Sequence, residues 1–598
     1  MMARKLSALP KNQNRPTLAE LADYPVMTSW FNPGLLLKLL GRVITADLFG
    51  QYADRRLIEA ALDTSEADVA GRDDISAHMA NHRDADGAVW LDFVADLGDG
   101  FDATYAIASL LARPRLELTY QGRTHTLPRA AALVMGGDEV YPTATRDEYS
   151  IKTRAPYQFA FPKRKPGAEQ PRVMLIPGNH DWYDGLVNFL ALFCRAKPTA
   201  IGNWRTCQRR SYFGFKLTEQ AWVWGIDIAL VADMDQPQAD YFVAIAKAMP
   251  QNANVILCSA EPGWYGAEQE TNSYRTLSYA AAIADNAGKS IKIPLVLSGD
   301  SHHYCRYESD LGTQYITSGG GGAFLHGTHH LPDQLHAAWL RHQPKPVLTL
   351  ADSCYPDKVT SRRLLSGNFK FPLTNYGFSL LLGAIFTILG FAMSMLPRGD
   401  VGVISFLVLA AGFIGYSGYQ EKKSLKKAVG LAVLHAGVQF IALLGLTRLF
   451  SAFDAATFGF RAQGPWWAWL IELGVPMVLL GGGLAGFIFG FNLMLTCRYA
   501  DMNHNDAFSA MRLDAFRNFL RIRILGNQVT VYPIGLDRVP RRTEWKDNPA
   551  STGDPLAPYF IVDPDLAPRL LEAPIAVGGH EVEPTAMTVK QPGELPKE

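Results

Sequence analysis

Four long runs without a charged residue occupy the second half of this 598-residue chain and constrain its fold more than any other feature. Each run is close to the ~20 residues that cross the hydrocarbon core of a bilayer as a helix. The runs are Phe378–Leu396, Val401–Tyr419, Ala428–Thr447 and Leu473–Cys497. We expect four transmembrane helices, because the alternative, four buried helices in one soluble domain, would overfill its core.

The short loops between these runs predict their orientation. The second loop carries four lysines, whereas the first loop is neutral, and positive residues stay on the cytoplasmic side. The lysines are Lys422, Lys423, Lys426 and Lys427. With four crossings, the regions before and after the runs are both expected in the cytoplasm. Only His435 is ionisable well inside a run, which favours a membrane anchor over a transport path.

The charge balance and the cysteines narrow the remaining classes of function. The chain has 57 basic and 57 acidic residues, so it lacks the basic excess that nucleic-acid binders use. The six cysteines form no C-x-x-C pair, which argues against a disulfide framework and a zinc knuckle and favours a reducing compartment. No heptad or repeat marks an oligomeric interface, so the oligomeric state stays open.

The soluble part divides by its pattern of apolar residues. Residues 1–88 are expected to form a helical region, because apolar positions recur every three and four residues from Pro33 to Leu62. From Val89 onward, short apolar runs end in polar turns and alternate with helical segments, which predicts a layered α/β domain over 89–355. The further expected regions are a membrane anchor at 376–497, a small cytoplasmic element at 498–565 that contains a helix over Ala507–Leu525, and a disordered tail at 566–598.

Polar residues that could hold metal ions follow several of the predicted strands. Carboxylates, a carboxamide and imidazoles from several strand ends are a common way to hold two cations. Taken singly, each residue has an ordinary interpretation as a helix cap or a turn residue. The set comprises Asp96, Asp138, Asn179, His180, Asp181, Asp300, His302 and His303. Their joint occurrence predicts a metal centre.

The order and spacing of these residues resemble the calcineurin-like metallophosphoesterases, and more closely their purple acid phosphatase branch, over residues 89 to about 330. The segments that carry the resemblance are ADLG (Ala95–Gly98), GGDEVY (Gly136–Tyr141), IPGNHDW (Ile176–Trp182) and SGDSHHY (Ser298–Tyr304). IPGNHDW carries the G-N-H-[DE] motif, the most specific of the four. Longer stretches look like a subgroup of large membrane-anchored members known from plants and bacteria. The resemblance implies a layered β-sandwich flanked by helices.

The same resemblance implies a site for two metal ions, either Fe with Zn or Mn, or a Mn pair. The implied ligands of the first metal are Asp96, Asp138, Tyr141 and His302, and those of the second are the bridging Asp138, Asn179 and Asp300. A tyrosinate ligand favours ferric iron at the first position. Where the family has a further histidine, this chain has Ala260. The residues that could take its place are Glu261, His326 and His329.

The implied activity is hydrolysis of a phosphomonoester or phosphodiester by a metal-bound hydroxide, and the membrane tether makes a lipid phosphate an attractive substrate. His180 would be an electrostatic clamp or leaving-group acid, oriented by Asp181. His303 would either form a hydrogen bond to a metal ligand or simply pack in the core. The substitution at Ala260 leaves open a degenerate relative that binds a metal or a phosphorylated ligand as a sensor or scaffold. A transporter or assembly protein with a regulatory phosphatase-like domain is a third interpretation.

Overall fold

The computed structural model describes residues 16–39, 41, 73–162, 170–195, 197–228, 233–337, 346–396, 399–420 and 425–577. Two large sheets and four long apolar helices dominate this part of the chain, which makes the fold mixed α/β with a membrane-spanning region indicated. Most of the stretch expected to be helical up to Leu62, the lysines Lys422 and Lys423, and the tail beyond residue 577 lie outside the described residues.

The strands are short, and their bounds follow in chain order. They are β1 (Val89–Val94), β2 (Arg115–Tyr120), β3 (Arg123–Pro128), β4 (Ala132–Met135), β5 (Arg172–Leu175), β6 (Ala200–Ile201), β7 (Trp204–Thr206), β8 (Phe213–Lys216), β9 (Ala221–Ile226), β10 (Asn254–Ser259), β11 (Lys292–Ser298), β12 (Tyr304–Ser309), β13 (Gln314–Ser318), β14 (Gln334–His336), β15 (Val347–Leu350), β16 (Arg517–Leu525), β17 (Gln528–Leu536), β18 (Lys546–Asp547), β19 (Phe560–Ile561), β20 (Arg569–Leu570) and β21 (Ile575–Val577).

Within the described residues, the strands form two large sheets and two small pairs. Sheet I has the order β20-β17-β16-β1-β4-β5-β7-β6, with β21 also paired to β17. Sheet II has the order β14-β15-β12-β13-β11-β10-β9-β8. Strands β1, β4 and β5 run parallel to one another, as do β9, β10 and β11. The carboxyl ends of these parallel strands are therefore the places where loops with functional side chains can meet.

The two sheets pack face to face, and helices cover their outer faces. Alternate residues of β4 explain the arrangement, since Val134 joins the apolar cluster between the sheets while Leu133 joins the cluster under the outer helices. The shorter helices are Leu18–Leu21, Ser76–Ala80, Phe101–Ala112, Arg146–Glu148, Ala155–Ala160, Asn179–Trp182, Val187–Phe193, Gln236–Ala248, Asn272–Asn286, Lys358–Leu364, Phe371–Thr374 and His504–Met511. Phe101–Ala112 packs on sheet I, and Gln236–Ala248 and Asn272–Asn286 pack on sheet II.

Four helices of the described chain are long and apolar enough to cross a membrane. They are span 1 (Tyr376–Met395), span 2 (Gly399–Ser417), span 3 (Leu425–Thr457) and span 4 (Trp466–Tyr499, with a π-helical turn at Met477–Gly481). Large apolar side chains on their outer surface, such as Ile388, Leu434 and Ile441, are exposed. An apolar surface of this extent is not stable in water, so these helices indicate a region that lies in lipid.

The chain after span 4 returns to sheet I. Strand β16 pairs antiparallel with β1, and β17 pairs with β16. The helix expected over Ala507–Leu525 ends at Met511, and Arg517–Leu525 is β16 instead. The reason is a period-two pattern, since Leu520, Ile522 and Ile524 face the core between the sheets.

The first part of the segment expected to be disordered is also ordered. Residues 569–570 and 575–577 form β20 and β21, which pair with β17. Composition predicted disorder here because the segment is polar and contains prolines. The open edge of β17 supplies backbone hydrogen-bond partners that composition does not reveal.

Candidate metal centre

The predicted ligands lie at the carboxyl ends of parallel strands from both sheets. Asp96 follows β1, Asp138 follows β4, and Asn179 follows β5 in sheet I. Glu261 follows β10 and Asp300 follows β11 in sheet II. Because the two sheets pack face to face, these five loops meet at one edge of the sandwich.

The Tyr141 hydroxyl is at the centre of this cluster. Its oxygen lies 2.9 Å from Asp96 Oδ1, 2.9 Å from Asp138 Oδ2 and 2.9 Å from His302 Nε2. His302 Nε2 is also 3.6 Å from Asp96 Oδ1. The structure therefore brings together the four residues that were expected to hold the first metal.

The backbone at the three aspartates is strained. Asp96, Asp138 and Asp300 have φ angles of 59°, 52° and 64°, in the left-handed region that few non-glycine residues adopt. Such conformations cost about 1–3 kcal/mol each and persist where a functional geometry requires them. Glycines make room for the carboxylates, because a Cβ at Gly178 would overlap Asp138 Oδ1 and one at Gly319 would overlap Asp96 Oδ2.

The carboxylates repel one another in a poorly solvated place. Burial, together with the negative charges of Asp138 and Asp300, holds the pKa of Asp96 well above its usual value. Burial and the nearby Asp181 raise the pKa of Asp138 to about 8, and burial with Glu261 and Asp138 raises the pKa of Asp300 to about 8. The site thus holds three carboxyl groups together in a place where their ionised forms are disfavoured.

His302 is oriented for its role by the main chain. Its Nδ1 lies 2.6 Å from the Phe324 carbonyl oxygen, so Nδ1 carries the proton and donates it. The Nε2 atom that faces Tyr141 consequently presents a lone pair. Burial and the neighbouring His326 hold the pKa of His302 well below its usual value, so the ring is neutral near pH 7.

Asn179 and His180 lie on the first turn after β5. The Asn179 side chain is exposed, and its amide nitrogen is 3.5 Å from the Tyr183 hydroxyl, which leaves its carbonyl oxygen available as a ligand. The His180 backbone N–H donates to Asp138 Oδ1 at 2.9 Å. Its Nδ1 lies 3.1 Å from the Pro142 carbonyl oxygen, and desolvation lowers the pKa of its imidazole to about 4.

Asp181 has a different role from the one expected. Its carboxylate accepts hydrogen bonds from the backbone N–H groups of Gly178 (2.9 Å) and Glu139 (3.3 Å) and from the Tyr149 hydroxyl. These bonds fix the loop that carries Asn179. The His180 ring is oriented by the Pro142 carbonyl oxygen instead of by Asp181.

The position of the missing histidine is buried beside the aspartates. Ala260 is 5% exposed. A Cβ added at Gly137, the residue before Asp138, would lie 2.8 Å from the Cβ of Ala260. The next residue, Glu261, is close enough to Asp138 and Asp300 to raise the pKa of both. Of the residues that could replace the histidine, Glu261 is therefore the one that the structure brings to the second ligand set.

The other candidate histidines make their contacts with different residues. The His326 ring stacks on His302, with centroids 3.9 Å apart, and its Nε2 lies 3.1 Å from Asn505 Oδ1. His303 is buried. His329 lies instead beside Cys497, on the side of the loop that faces span 4.

Sequence reasoning did not identify several neighbours of the site. The Trp30 ring packs edge-on against Tyr141, His180 and Phe324. Lys152 donates to the Tyr141 carbonyl oxygen at 2.6 Å. The fully buried Arg517 donates to the Ala323 carbonyl oxygen beside Phe324. An arginine in an alternating strand pattern is a signal that could have indicated Arg517, whereas no local pattern marks Trp30.

The donor set fits one or more metal cations. A hydroxyl has one hydrogen, yet three acceptor atoms lie 2.9 Å from the Tyr141 oxygen. Asp96 Oδ2 is buried without a hydrogen-bond partner in the described structure. Lone pairs crowded in this way are unfavourable unless protons or a cation compensate them. The mixture of carboxylate, phenolic oxygen, carboxamide and imidazole suits Fe, Mn or Zn.

The chain was compared with models of known protein families and with curated proteins. No family model matches it, and no curated protein is significantly similar to it.

Proposed function

We propose that this protein is a membrane-anchored, metal-dependent phosphoesterase of the calcineurin-like kind, which hydrolyses a phosphomonoester or phosphodiester. The observation that carries the proposal is the convergence of three side chains on the Tyr141 hydroxyl oxygen. Atoms of Asp96, Asp138 and His302 each lie 2.9 Å from this oxygen. In addition, His302 Nε2 lies 3.6 Å from Asp96 Oδ1. The motifs GGDEVY, IPGNHDW and SGDSHHY supply these residues and their neighbours in the order typical of that family.

The residues divide between two cation positions. Asp96, Asp138, Tyr141 and His302 would hold the first cation, and Asp138, Asn179 and Asp300 the second. Cations of the Fe, Zn or Mn type supply charge neutralisation for phosphoryl oxygens and an activated water near neutral pH. Glu261 would complete the second set in place of the absent histidine, because it lies close to both Asp138 and Asp300.

His180 would act on the substrate as a hydrogen-bond donor and then as a proton donor to the leaving oxygen. In the free protein its pKa of about 4 keeps the imidazole neutral. A phosphoryl dianion bound beside the ring would favour the charged imidazolium and raise that pKa. The Pro142 carbonyl oxygen holds Nδ1, so Nε2 is the atom free to face the substrate. Asp181 would support this step indirectly, by fixing the loop.

The position of the site relative to the spans supports a lipid phosphate as the substrate. Phe324, whose carbonyl oxygen orients His302, belongs to the same apolar cluster as Leu382 in span 1 and Phe489 in span 4. A phosphate head group at the membrane surface could therefore reach the site without leaving the bilayer.

The same geometry supports a cytoplasmic site. Lys427, at the beginning of span 3, donates to the Ala500 carbonyl oxygen, just after span 4. The start of span 3, which carries Lys426 and Lys427, and the return of the chain to sheet I thus lie at the same end of the spans. Because positive loops stay on the cytoplasmic side, this contact supports a cytoplasmic position for the proposed site.

The test measures metal content and hydrolysis on the full-length protein in detergent. We expect two ions per chain by elemental analysis, and hydrolysis within a panel of p-nitrophenyl phosphate, bis(p-nitrophenyl) phosphate and a phosphatidic acid in mixed micelles. Asp138→Asn should lose at least one ion and reduce hydrolysis by more than ~100-fold. Replacing a residue that only hydrogen-bonds to a metal ligand already lowers metal affinity or activity by about 10–100-fold.

Asp147→Asn is the matched control, because Asp147 is exposed on the short helix Arg146–Glu148 and should change neither quantity. Binding of one ion or none, together with no hydrolysis of any member of the panel, would favour the sensor or scaffold interpretation. The observation that favours this interpretation is that Ala260 stands where the family has a histidine ligand. Cleavage of the soluble esters without any cleavage of the lipid phosphate would refute the lipid substrate alone.

A further inference from the structure

A second cluster of metal-binding side chains lies between the site loop and the membrane anchor. It consists of His329 in the loop after β13, Cys497 in the last turn of span 4, and His504 at the start of the helix His504–Met511. Cys497 Sγ is 3.6 Å from His329 Nε2 and 3.3 Å from His504 Nδ1. One ligand atom from each of the three residues lies within 4.8 Å of the other two.

Each of the two imidazoles has a polar contact on the ring nitrogen that does not face Cys497. His504 Nε2 is 2.8 Å from Asp501 Oδ1, and His329 Nδ1 is 2.8 Å from Ser361 Oγ. In each ring, one nitrogen is thus occupied by a polar partner while the other faces the sulfur. Metal-bound histidines almost always have this arrangement, because the partner fixes the tautomer and the ring orientation.

The spacing agrees with that of a tetrahedral zinc site. Zn–N bonds of ~2.0 Å and Zn–S bonds of ~2.3 Å at tetrahedral angles separate nitrogen from sulfur by about 3.5 Å. The two observed separations, 3.6 and 3.3 Å, are close to this value. Cys497 and His329 are 2% and 7% exposed and so are largely shielded from water, whereas His504 is partly exposed.

We propose that Cys497, His329 and His504 bind a Zn²⁺-class cation with one position left open. The nearest further imidazole is His330, whose ring centroid is 4.0 Å from that of His504. The ion would join three segments that are distant in sequence: the site loop, the end of span 4 and the helix that follows. The loop also contains Phe324, which orients His302, so the ion would stabilise the position of the proposed catalytic centre. This second site contains a thiol, whereas the first ligand set contains none.

The competing arrangement is a cluster held by hydrogen bonds alone. In it the Cys497 thiol donates to His504 and accepts from His329, and no metal is required. Cobalt(II) distinguishes the two arrangements, because a thiolate ligand produces a charge-transfer absorption that oxygen and nitrogen ligands do not. The absorption therefore reports on this cluster and is insensitive to the oxygen-rich first site.

The experiment titrates Co²⁺ and then Zn²⁺ into full-length protein that has been stripped with a chelator in detergent. We expect a thiolate-to-Co²⁺ band whose final amplitude corresponds to one thiolate-bound Co²⁺ per chain, whatever the first ligand set also takes up, and that Zn²⁺ removes. Cys497→Ser should abolish the band, and His504→Gln should weaken Co²⁺ binding at least ~10-fold. Cys354→Ser, at a half-buried cysteine outside the cluster, is the matched control and should leave the band unchanged.

A second measurement uses the unaltered protein, so that it does not depend on the folding of a variant. Zn²⁺ should slow alkylation of Cys497 by iodoacetamide, as followed by peptide mass spectrometry, with no effect on Cys354. Absence of the Co²⁺ band from the unaltered protein, or its persistence in Cys497→Ser, would establish the hydrogen-bonded cluster and overturn the proposal. Either result leaves the proposed function untouched, because Asp138→Asn tests that separately.

Discussion

At the scale of single residues, the chemistry of the site follows from crowding of like charges. Asp138 and Asp300 each have a pKa of about 8 because burial and neighbouring carboxylates disfavour their ionised forms. In a cation-free protein they are therefore protonated at neutral pH. A cation has to displace these protons before it can bind, which links metal affinity to pH.

Metal retention should consequently fall as the pH is lowered from 8 to 6. Each proton that the cation displaces weakens binding by up to ~10-fold per pH unit below the pKa. Elemental analysis after equilibrium dialysis at pH 6, 7 and 8, with equal free metal, measures the effect. Retention that does not vary over this range would contradict the protonated state that we assign to Asp138 and Asp300.

At the scale of elements, a buried ion pair joins strand β1, which precedes Asp96, to strand β16, which follows span 4. Asp92 in β1 lies opposite Arg521 in β16. Arg521 donates to the carboxylate through two nitrogens, at 2.8 and 2.9 Å, and both side chains are buried. Because β1 leads directly to Asp96, this pair supports the backbone that positions the first of the proposed metal ligands.

Arg521→Met should destabilise the protein by about 3–5 kcal/mol, because it leaves the Asp92 carboxylate buried and unpaired. The double variant Asp92→Leu with Arg521→Met removes both charges and should recover most of that loss. Thermal unfolding in detergent, followed by tryptophan fluorescence, compares the three proteins. If Arg521→Met unfolds at the same temperature as the double variant, the ion pair contributes little to the stability of the fold.

At the scale of the whole molecule, the four spans are an insertion in the sheet domain. The chain leaves sheet II after β15, passes through the spans, and returns as β16 and β17 in sheet I. Both ends of the insertion must therefore lie on one side of the membrane, which requires an even number of crossings. The Tyr416 hydroxyl in span 2 donates to Asp506 in the helix after span 4, so the sheet domain is also in contact with the spans.

The sidedness can be measured with cysteines placed on opposite ends of the spans. An impermeant maleimide applied to intact cells should label Asp400→Cys, in the first turn of span 2, and should label Asp147→Cys in the sheet domain only after permeabilisation. Both positions are exposed. Serine replacements of the half-buried Cys194, Cys207 and Cys354 reduce the background. The opposite pattern of labelling would place the sheet domain outside the cytoplasm.

Much of the site was predictable because its ligands come from short motifs next to strands. Local sequence identifies such motifs, and the strands that precede Asp96, Asp138 and Asp300 are short and largely apolar. The supporting contacts of Trp30 and Arg517 were not predictable, since they depend on segments that are far apart in the chain and meet only in the folded molecule. The hydrogen bond between Asp181 and Tyr149 was not predictable for the same reason, because Tyr149 lies in a separate helical segment, Tyr149–Arg154.

The sequence by itself determined the four apolar helices and the alternation of strands and helices, since length, hydropathy and periodicity are local properties. Only the tertiary structure decided that β16, β17, β20 and β21 complete the sheet that begins with β1. It also decided that His329 lies with Cys497 and His504 instead of with the aspartates. Backbone pairing at an open sheet edge and the convergence of side chains depend on which segments approach one another, and no local pattern of residues contains that information.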